Sequence, residues 1–222
     1  MNYGCTINLN FTRADRALVE QFRGIPVANI DDCMNRLAAL DASICPLNHA
    51  PLLGTAFTVR VPAGDNLMFH KAMDLAQPGD VIMIDAGGCM DRAILGELMT
   101  TYCKVRGLAG IVVDGCIRDR DELAQMDFPV YARGATPNGP YKNGPGEIGT
   151  AVSVGGQLIR QPPSVLAASS SARATLSSAT ATASLPSVRR TRPRLSKQRR
   201  RLSARKPVSC RVSSRGSIPA PG

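Results

Sequence analysis

The chain has 222 residues, enough for one ordinary domain and an appendage. Its formal charge of +10 is unevenly placed: residues 1–160 hold 14 basic and 17 acidic side chains, whereas residues 161–222 hold 13 basic and no acidic ones. The basic pI is thus a property of the tail, the folding part is mildly acidic, and no apolar run is long enough for a membrane-spanning helix. The N-terminus lacks the basic, apolar and small-residue order of a signal peptide, so a cytoplasmic location is expected. Seven cysteines, an odd number with no CxxC pair, read as reduced thiols rather than a disulfide framework.

In chain order, Thr12 can cap a first helix through Ala14, Leu18, Val19 and Phe22 that ends at Gly24. Pro26 suits the first turn of a second helix carrying Ile30, Met34, Leu37 and Leu40. Leu52 to Val61 has the β-branched content of a strand, and Pro62-Ala63-Gly64 turns the chain. Asp65-Asn66 then opens a helix with Leu67, Met68, Ala72, Met73 and Leu75 on its apolar side. His70 on this helix reads as a structural residue with its own hydrogen bond. Val81 to Ile84 forms a buried strand, and Asp85 to Gly88 a strand-end loop where backbone can approach a ligand closely.

The stretch from Gly96 to Asp119 organises the rest. A helix from Gly96-Glu97 carries Leu98, Met99, Tyr102 and Val105 and stops at Gly107. Ile111-Val112-Val113 is a buried strand that Asp114-Gly115 should end as a turn, and the loop then delivers Arg118-Asp119. Helix, strand and loop in this order bring both ends of the stretch to one sheet edge. Backbone amides, a cation and two carboxylates would meet there, a set suited to metal-assisted carbonyl chemistry. Further on, Asp119 to Gln125 reads as a short helix, Pro129 to Ala132 as a strand, and Thr136 to Gly149 as loop. Residues 151–154 and 157–159 form a hairpin about Gly155-Gly156. Asp85 and Asp114 read as turn formers, Asp91-Arg92 as contributors to a pocket mouth, and Glu147 as a pin for its loop.

Several short motifs occur in one order: Leu53-Gly54-Thr55-Ala56, Asp65-Asn66, Pro78-Gly79-Asp80-Val81, Gly96-Glu97-Leu98, Asp114-Gly115, Arg118-Asp119, Pro129-Val130 and Gly144-Pro145-Gly146-Glu147-Ile148. This set resembles the family that holds the 4-hydroxy-4-methyl-2-oxoglutarate aldolases and the RraA-type regulators of ribonuclease E, over roughly residues 12–160. The family aldolases carry an acid, twenty intervening residues and then Arg-Asp. Here Glu97 and Arg118 are separated by 20 residues and Asp119 follows, with Glu standing where the aldolases have Asp.

The resemblance implies an α/β fold, a central, partly barrel-like sheet flanked by helices in an αββαβ sandwich. Strand–helix alternation alone also allows a doubly wound sheet. It implies that Asp119 is the protein ligand of a divalent Mg or Mn ion, and that Arg118 holds the oxygens of a small 2-oxo acid substrate. The backbone amides of Gly96, Glu97, Leu98 and Met99 would bind the substrate carboxylate, and Glu97 would return a proton through a water. A helix N-terminus and a planar guanidinium suit those roles on physical grounds. Aldol cleavage to pyruvate follows, with oxaloacetate decarboxylation through the same enolate, in a homotrimer or hexamer with sites between subunits. The alternative within the family is a non-catalytic regulator that binds an RNA-degrading enzyme; those regulators lack the acid after the Arg, and Asp119 is present.

After Arg160 the pattern breaks. Gln161 onward has no Asp, Glu, Asn, His, Met or aromatic residue, and Ala, Ser, Arg and Pro dominate. Such a segment lacks the apolar surface to offset its ordering entropy, so disorder is expected over 161–222. The bias is that of a GC-rich gene read out of frame, so a frameshift near codon 160 is expected. The family's C-terminal part, a strand of the sheet and an acidic residue for a neighbouring site, would then be missing, leaving an open sheet edge. A functional tail would bind RNA or anionic lipid only non-specifically, since it has no aromatic residue for stacking.

Overall fold

A computed structural model describes residues 4–161, 164–168 and 175–178. The chain runs β1 (Cys5–Ile7), α1 (Arg16–Glu20), α2 (Val27–Cys33), β2 (Cys45–Pro46), β3 (Leu52–Arg60), α3 (Leu67–Leu75), β4 (Asp80–Leu95), α4 (Glu97–Val105) and β5 (Gly110–Ile117). It continues with α5 (Arg120–Gln125), β6 (Val130–Ala132), β7 (Gly134–Ala135), β8 (Gly146–Ile148), β9 (Val152–Val154), β10 (Gln157–Ile159), β11 (Ser164–Ala168) and β12 (Thr175–Ser178).

The fold is α/β, as expected: one large sheet in the order β1-β8-β3-β4-β5-β6-β2, with few helices. Strands β3 to β6 are parallel, and α3 and α4 make the crossovers that parallel neighbours require. Among the described residues the hydrogen-bonded path is open and does not close into a barrel. Both faces of the parallel centre are buried, which explains its continuous apolar runs. On β4, Ile82 and Ile84 pack on one side with Phe57, Phe69 and Met73. Val81 and Met83 pack on the other with Tyr131, Val152 and Leu166.

The first helix begins later than Thr12 suggests. Asp15 caps it by accepting from the Ala17 amide at 3.0 Å. The second ends at Cys33, and Leu37 is exposed instead of continuing the apolar face. The hairpin of β9 and β10 turns at Gly155-Gly156, both at positive φ (54° and 76°), as its sequence requires.

Two expected turns are strand interior. Asp85 to Gly88 lie inside the sixteen-residue β4, which absorbs them as register shifts against β5. Asp114-Gly115 do not end β5, which continues to Ile117. The reason is a partly buried ion pair: the buried Asp114 receives the Arg133 guanidinium and, at 2.7 Å, the Gly155 amide. A satisfied carboxylate can stay in a buried strand where a lone one would have to reach solvent.

Order also runs past residue 160, against the expectation from tail composition. The short apolar run Ser164–Ala168 forms the fully buried β11, antiparallel to Leu52–Thr55 of β3. The open edge expected there is covered over that stretch. The remaining expectations for the tail, including its basic cluster, lie outside the described residues.

Candidate functional site

Three elements converge where β5 ends. The strand delivers Arg118, whose amide donates to the Leu95 carbonyl at 3.0 Å and so ties the end of β5 to the start of α4. Asp119 follows in the left-handed conformation (φ 56°, ψ 46°), rare for a residue with a side chain. Its Oδ2 accepts from the Glu97 amide at 3.0 Å, with Arg118 Nε 3.6 Å from the same oxygen. Asp119 thereby caps α4 from a distant point in the chain. This satisfies one of the amides a helix start leaves unpaired, and places a negative charge at its positive end.

Gly96 makes the approach possible. Its own backbone is extended, but a Cβ there would collide with Asp119 Oδ2 and lie 2.9 Å from Arg118 Cγ. Within α4 the first backbone bond is Thr100 N–H to the Gly96 carbonyl at 3.1 Å. The amides of Leu98 and Met99 therefore have no acceptor within the helix and remain available to an anion.

Arg118 lines two cavities. One, of about 350 Å³, is lined by Arg118, Asp119, Ala135, Thr136 and Pro137. The other, of about 390 Å³, runs from Arg118, Gly96, Leu98 and Met99 to Asn66, His70 and Lys142. The wall of the second is the Gly/Pro-rich segment 139–144, which is firmly strapped down. The buried Asp65 accepts from the Asn143 amide at 2.6 Å and the Gly144 amide at 3.1 Å. Arg92 donates to the Gly139 carbonyl at 2.9 Å and to the Tyr141 hydroxyl at 2.7 Å, with its guanidinium 4.0 Å from the Tyr141 ring centre. Arg92, together with the Asp91 carbonyl that accepts from the Asn138 side-chain amide at 3.0 Å, thus holds the loop that walls the cavity. Glu147 pins the loop's end through Arg60 at 3.2 Å and Thr150 at 2.7 Å.

The sequence-predicted residues Gly96, Leu98, Met99, Arg118 and Asp119 are brought together. Glu97 is brought in by its backbone. Its carboxylate accepts from Thr101 Oγ1 at 2.8 Å and lines neither of these cavities. Among the described residues no cluster of three or more His, Cys, Asp or Glu forms a ready-made metal cage. The donor set at Asp119 instead fits a hard cation that keeps most of its water: a partly exposed carboxylate, one oxygen fixed by an amide, lining a cavity.

Asn66, His70 and Lys142 also line the second cavity; the sequence reads Asn66 as part of a helix start and His70 as structural, and points to none of the three as a site residue. The expected structural hydrogen bond of His70 is absent at Nε2, which is buried with no partner among the described residues. Burial, reinforced by the Lys142 charge and opposed by Asp74, pushes its imidazole below the ordinary value of 6.5. Asn66 is 1% exposed; its amide nitrogen donates to the Ile94 carbonyl at 2.9 Å, and its Oδ1 has no partner among the described residues.

The comparisons agree with this architecture. The family profile described as RraA-like, Aldolase/RraA, matches residues 27–170. A protein of Halalkalibacterium halodurans named "Putative 4-hydroxy-4-methyl-2-oxoglutarate aldolase" is 43% identical over 150 residues, which are 67% of this chain and 71% of the relative. A similarly named Arabidopsis thaliana protein is 38% identical over 96 residues, 43% of this chain and 58% of the relative. Among solved structures, the RNA-processing inhibitor RraA from Thermus thermophilis superposes with a TM-score of 0.61 at 28% identity, over 68% of this chain and 91% of that one. Streptomyces coelicolor RraAS2, described as an unusual member of the RNase ES inhibitor RraA family, gives 0.63 at 25% identity, over 74% and 86%. The chain belongs to the Aldolase/RraA family.

Proposed function

We propose that this chain is a divalent-metal-dependent carbon–carbon lyase that cleaves 4-hydroxy-4-methyl-2-oxoglutarate-type 2-oxo acids to pyruvate and decarboxylates oxaloacetate through the same enolate. The observation that carries the reading is the meeting of the Asp119 carboxylate, the Arg118 guanidinium and the leading amides of α4 at one point. The aldolase names of the relatives support it.

In this reading the amides of Leu98 and Met99 bind the substrate carboxylate. Arg118 presents its planar fork to the 2-oxo oxygen and stabilises the charge that develops there as the C–C bond breaks. A magnesium or manganese ion held by Asp119 would add Lewis-acid polarisation of the 2-oxo group. Glu97 returns a proton to the enolate carbon; its carboxylate lies outside both linings, so the proton travels through a bridging water. The strap over 139–144 holds one wall of the chamber in place.

The second reading, a non-catalytic regulator, has its support in the titles of the solved relatives, which name inhibitors of RNA processing. One experiment separates them. Pyruvate release from oxaloacetate, measured with added Mg or Mn, is expected from the full chain and lost in Asp119→Ala. Absence of release from the unaltered chain under both metals would favour the regulator.

A further inference from the structure

The cavity lined by Arg118 and the start of α4 also takes in Lys142, and no Asp or Glu lines it. Asp119, the carboxylate beside Arg118, lines the other cavity. Together with the amides of Leu98 and Met99, the two cations make a lining that concentrates anions. Lys142 is also held in a particular way. Before it, the Tyr141 amide donates to the Gly64 carbonyl at 2.8 Å and the Tyr141 carbonyl accepts from the Asn66 amide at 3.0 Å. After it, the Asn143 and Gly144 amides donate to the buried Asp65. Its own side chain is exposed and pairs with no carboxylate among the described residues. The backbone is fixed on both sides and the ammonium is unpaired, so receiving an anion there requires little further ordering of the chain.

We propose that Lys142 is the specificity residue that receives the distal carboxylate of a dicarboxylic 2-oxo acid whose keto-acid end is held by Arg118 and the leading amides of α4. The strap sets the spacing. Gly139 lies against the Arg118 guanidinium, since a Cβ there would be 3.8 Å from Nη1. Lys142 follows three residues later, so its Cα is at most about 11 Å from that of Gly139, and its four-carbon stem shortens the remaining gap. An extended five-carbon 2-oxo diacid carries its two carboxyl carbons about 5 Å apart, within that reach. A monocarboxylic 2-oxo acid would use the amides and Arg118 and leave Lys142 to water. The inference rests on the lyase reading for the placement of the keto-acid end, and adds to it the residue that reads the other end.

The test compares two ligands of equal chain length that lack a 4-hydroxyl and so undergo no aldol cleavage: 2-oxoglutarate, with the distal carboxylate, and 2-oxopentanoate, without it. Their dissociation constants are measured by calorimetry on the full chain with Mg or Mn. The unaltered chain should bind 2-oxoglutarate about tenfold more tightly, the low end for a hydrogen bond between charged groups. Lys142→Met should cut that preference to about twofold or less, Lys142→Arg should keep most of it, and Lys142→Glu should reverse it. Raised salt should weaken 2-oxoglutarate more than 2-oxopentanoate in the unaltered chain and equally in Lys142→Met. Equal binding of the two ligands by the unaltered chain, or binding of neither, would overturn the proposal. So would a preference that survives in Lys142→Met, or a Lys142→Met variant that weakens both ligands by the same factor, as a merely structural role would. Pyruvate release from oxaloacetate is scored separately. Release without a ligand preference removes the Lys142 assignment alone, and a preference without release removes the lyase reading alone.

Discussion

Asp119 Oδ2 and the Glu97 amide are 3.0 Å apart, so a single residue both caps α4 and lines a cavity. The two roles can be separated. Asp119→Ala should lose the cap, about 1 kcal/mol of stability, together with metal-dependent pyruvate release. Asp119→Asn keeps an acceptor for the amide, so its urea midpoint should stay close to the unaltered protein's. Its activity should nevertheless vanish, because a neutral amide is a far weaker ligand for a hard cation. If both variants lose stability equally, the side chain's contribution is not the hydrogen bond to Glu97.

Gly96→Ala should be more damaging to function than to folding. The new methyl meets Asp119 and Arg118 and displaces both, although the extended backbone at this position accepts any residue. Pyruvate release should fall at least tenfold, since small misplacements at a reacting centre cost rate steeply. A variant with unchanged kinetics would show that the close approach is not needed.

A second carboxylate carries stability rather than chemistry. Asp80 is 2% exposed and receives Arg13 through bonds of 2.9–3.0 Å and the Gln77 amide at 2.8 Å. Arg13 also lies over the Phe11 and Phe57 rings. Arg13→Ala should cost about 2 kcal/mol by leaving Asp80 under-satisfied, read as a lower midpoint in urea at unchanged m-value.

The His70 shift makes stability depend on pH with a definite sign. Burial holds its folded pKa below the ordinary 6.5, so the folded state binds the proton less readily than the unfolded chain. Its neutral form costs nothing above 6.5, and stability should fall as the pH drops below that value toward the folded pKa. Thermal midpoints of the unaltered protein and His70→Gln, measured from pH 7.5 to 5.5, should diverge, with the variant declining less.

Thiol reactivity should split by position. Burial pushes Cys103 up to about 12, against the nearby Arg106, and raises Cys116 as well. Cys5, Cys33 and Cys45 are exposed. Alkylation of the native protein at neutral pH, located by mass spectrometry, should mark the exposed three and spare Cys103 and Cys116. Rapid labelling of Cys103 would show that α4 opens readily.

The fold was legible wherever apolar pattern and turn chemistry agreed. Leu52 to Arg60, the helix after Asp65-Asn66, the Gly96–Gly107 helix and the Gly155-Gly156 hairpin all stand where the residues place them. Legibility failed where a distant partner changed the meaning of a local signal. Asp114-Gly115 looks like a turn until Arg133 arrives to neutralise it inside the strand. Ser164–Ala168 looks like part of a structureless tail until the backbone of β3 offers it hydrogen bonds. At the site, the motif and its spacing pointed to Arg118 and Asp119. The left-handed backbone of Asp119, the diversion of the Glu97 carboxylate to Thr101 and the orphaned atoms of Asn66 and His70 are three-dimensional facts that no spacing announces.

Because Arg118 lines both cavities, a molecule seated in either can draw on the same guanidinium. Two inhibitors of unrelated shape, one seated by Thr136 and one by Lys142, that each take Arg118 in a different pose should therefore compete, although their atoms never meet.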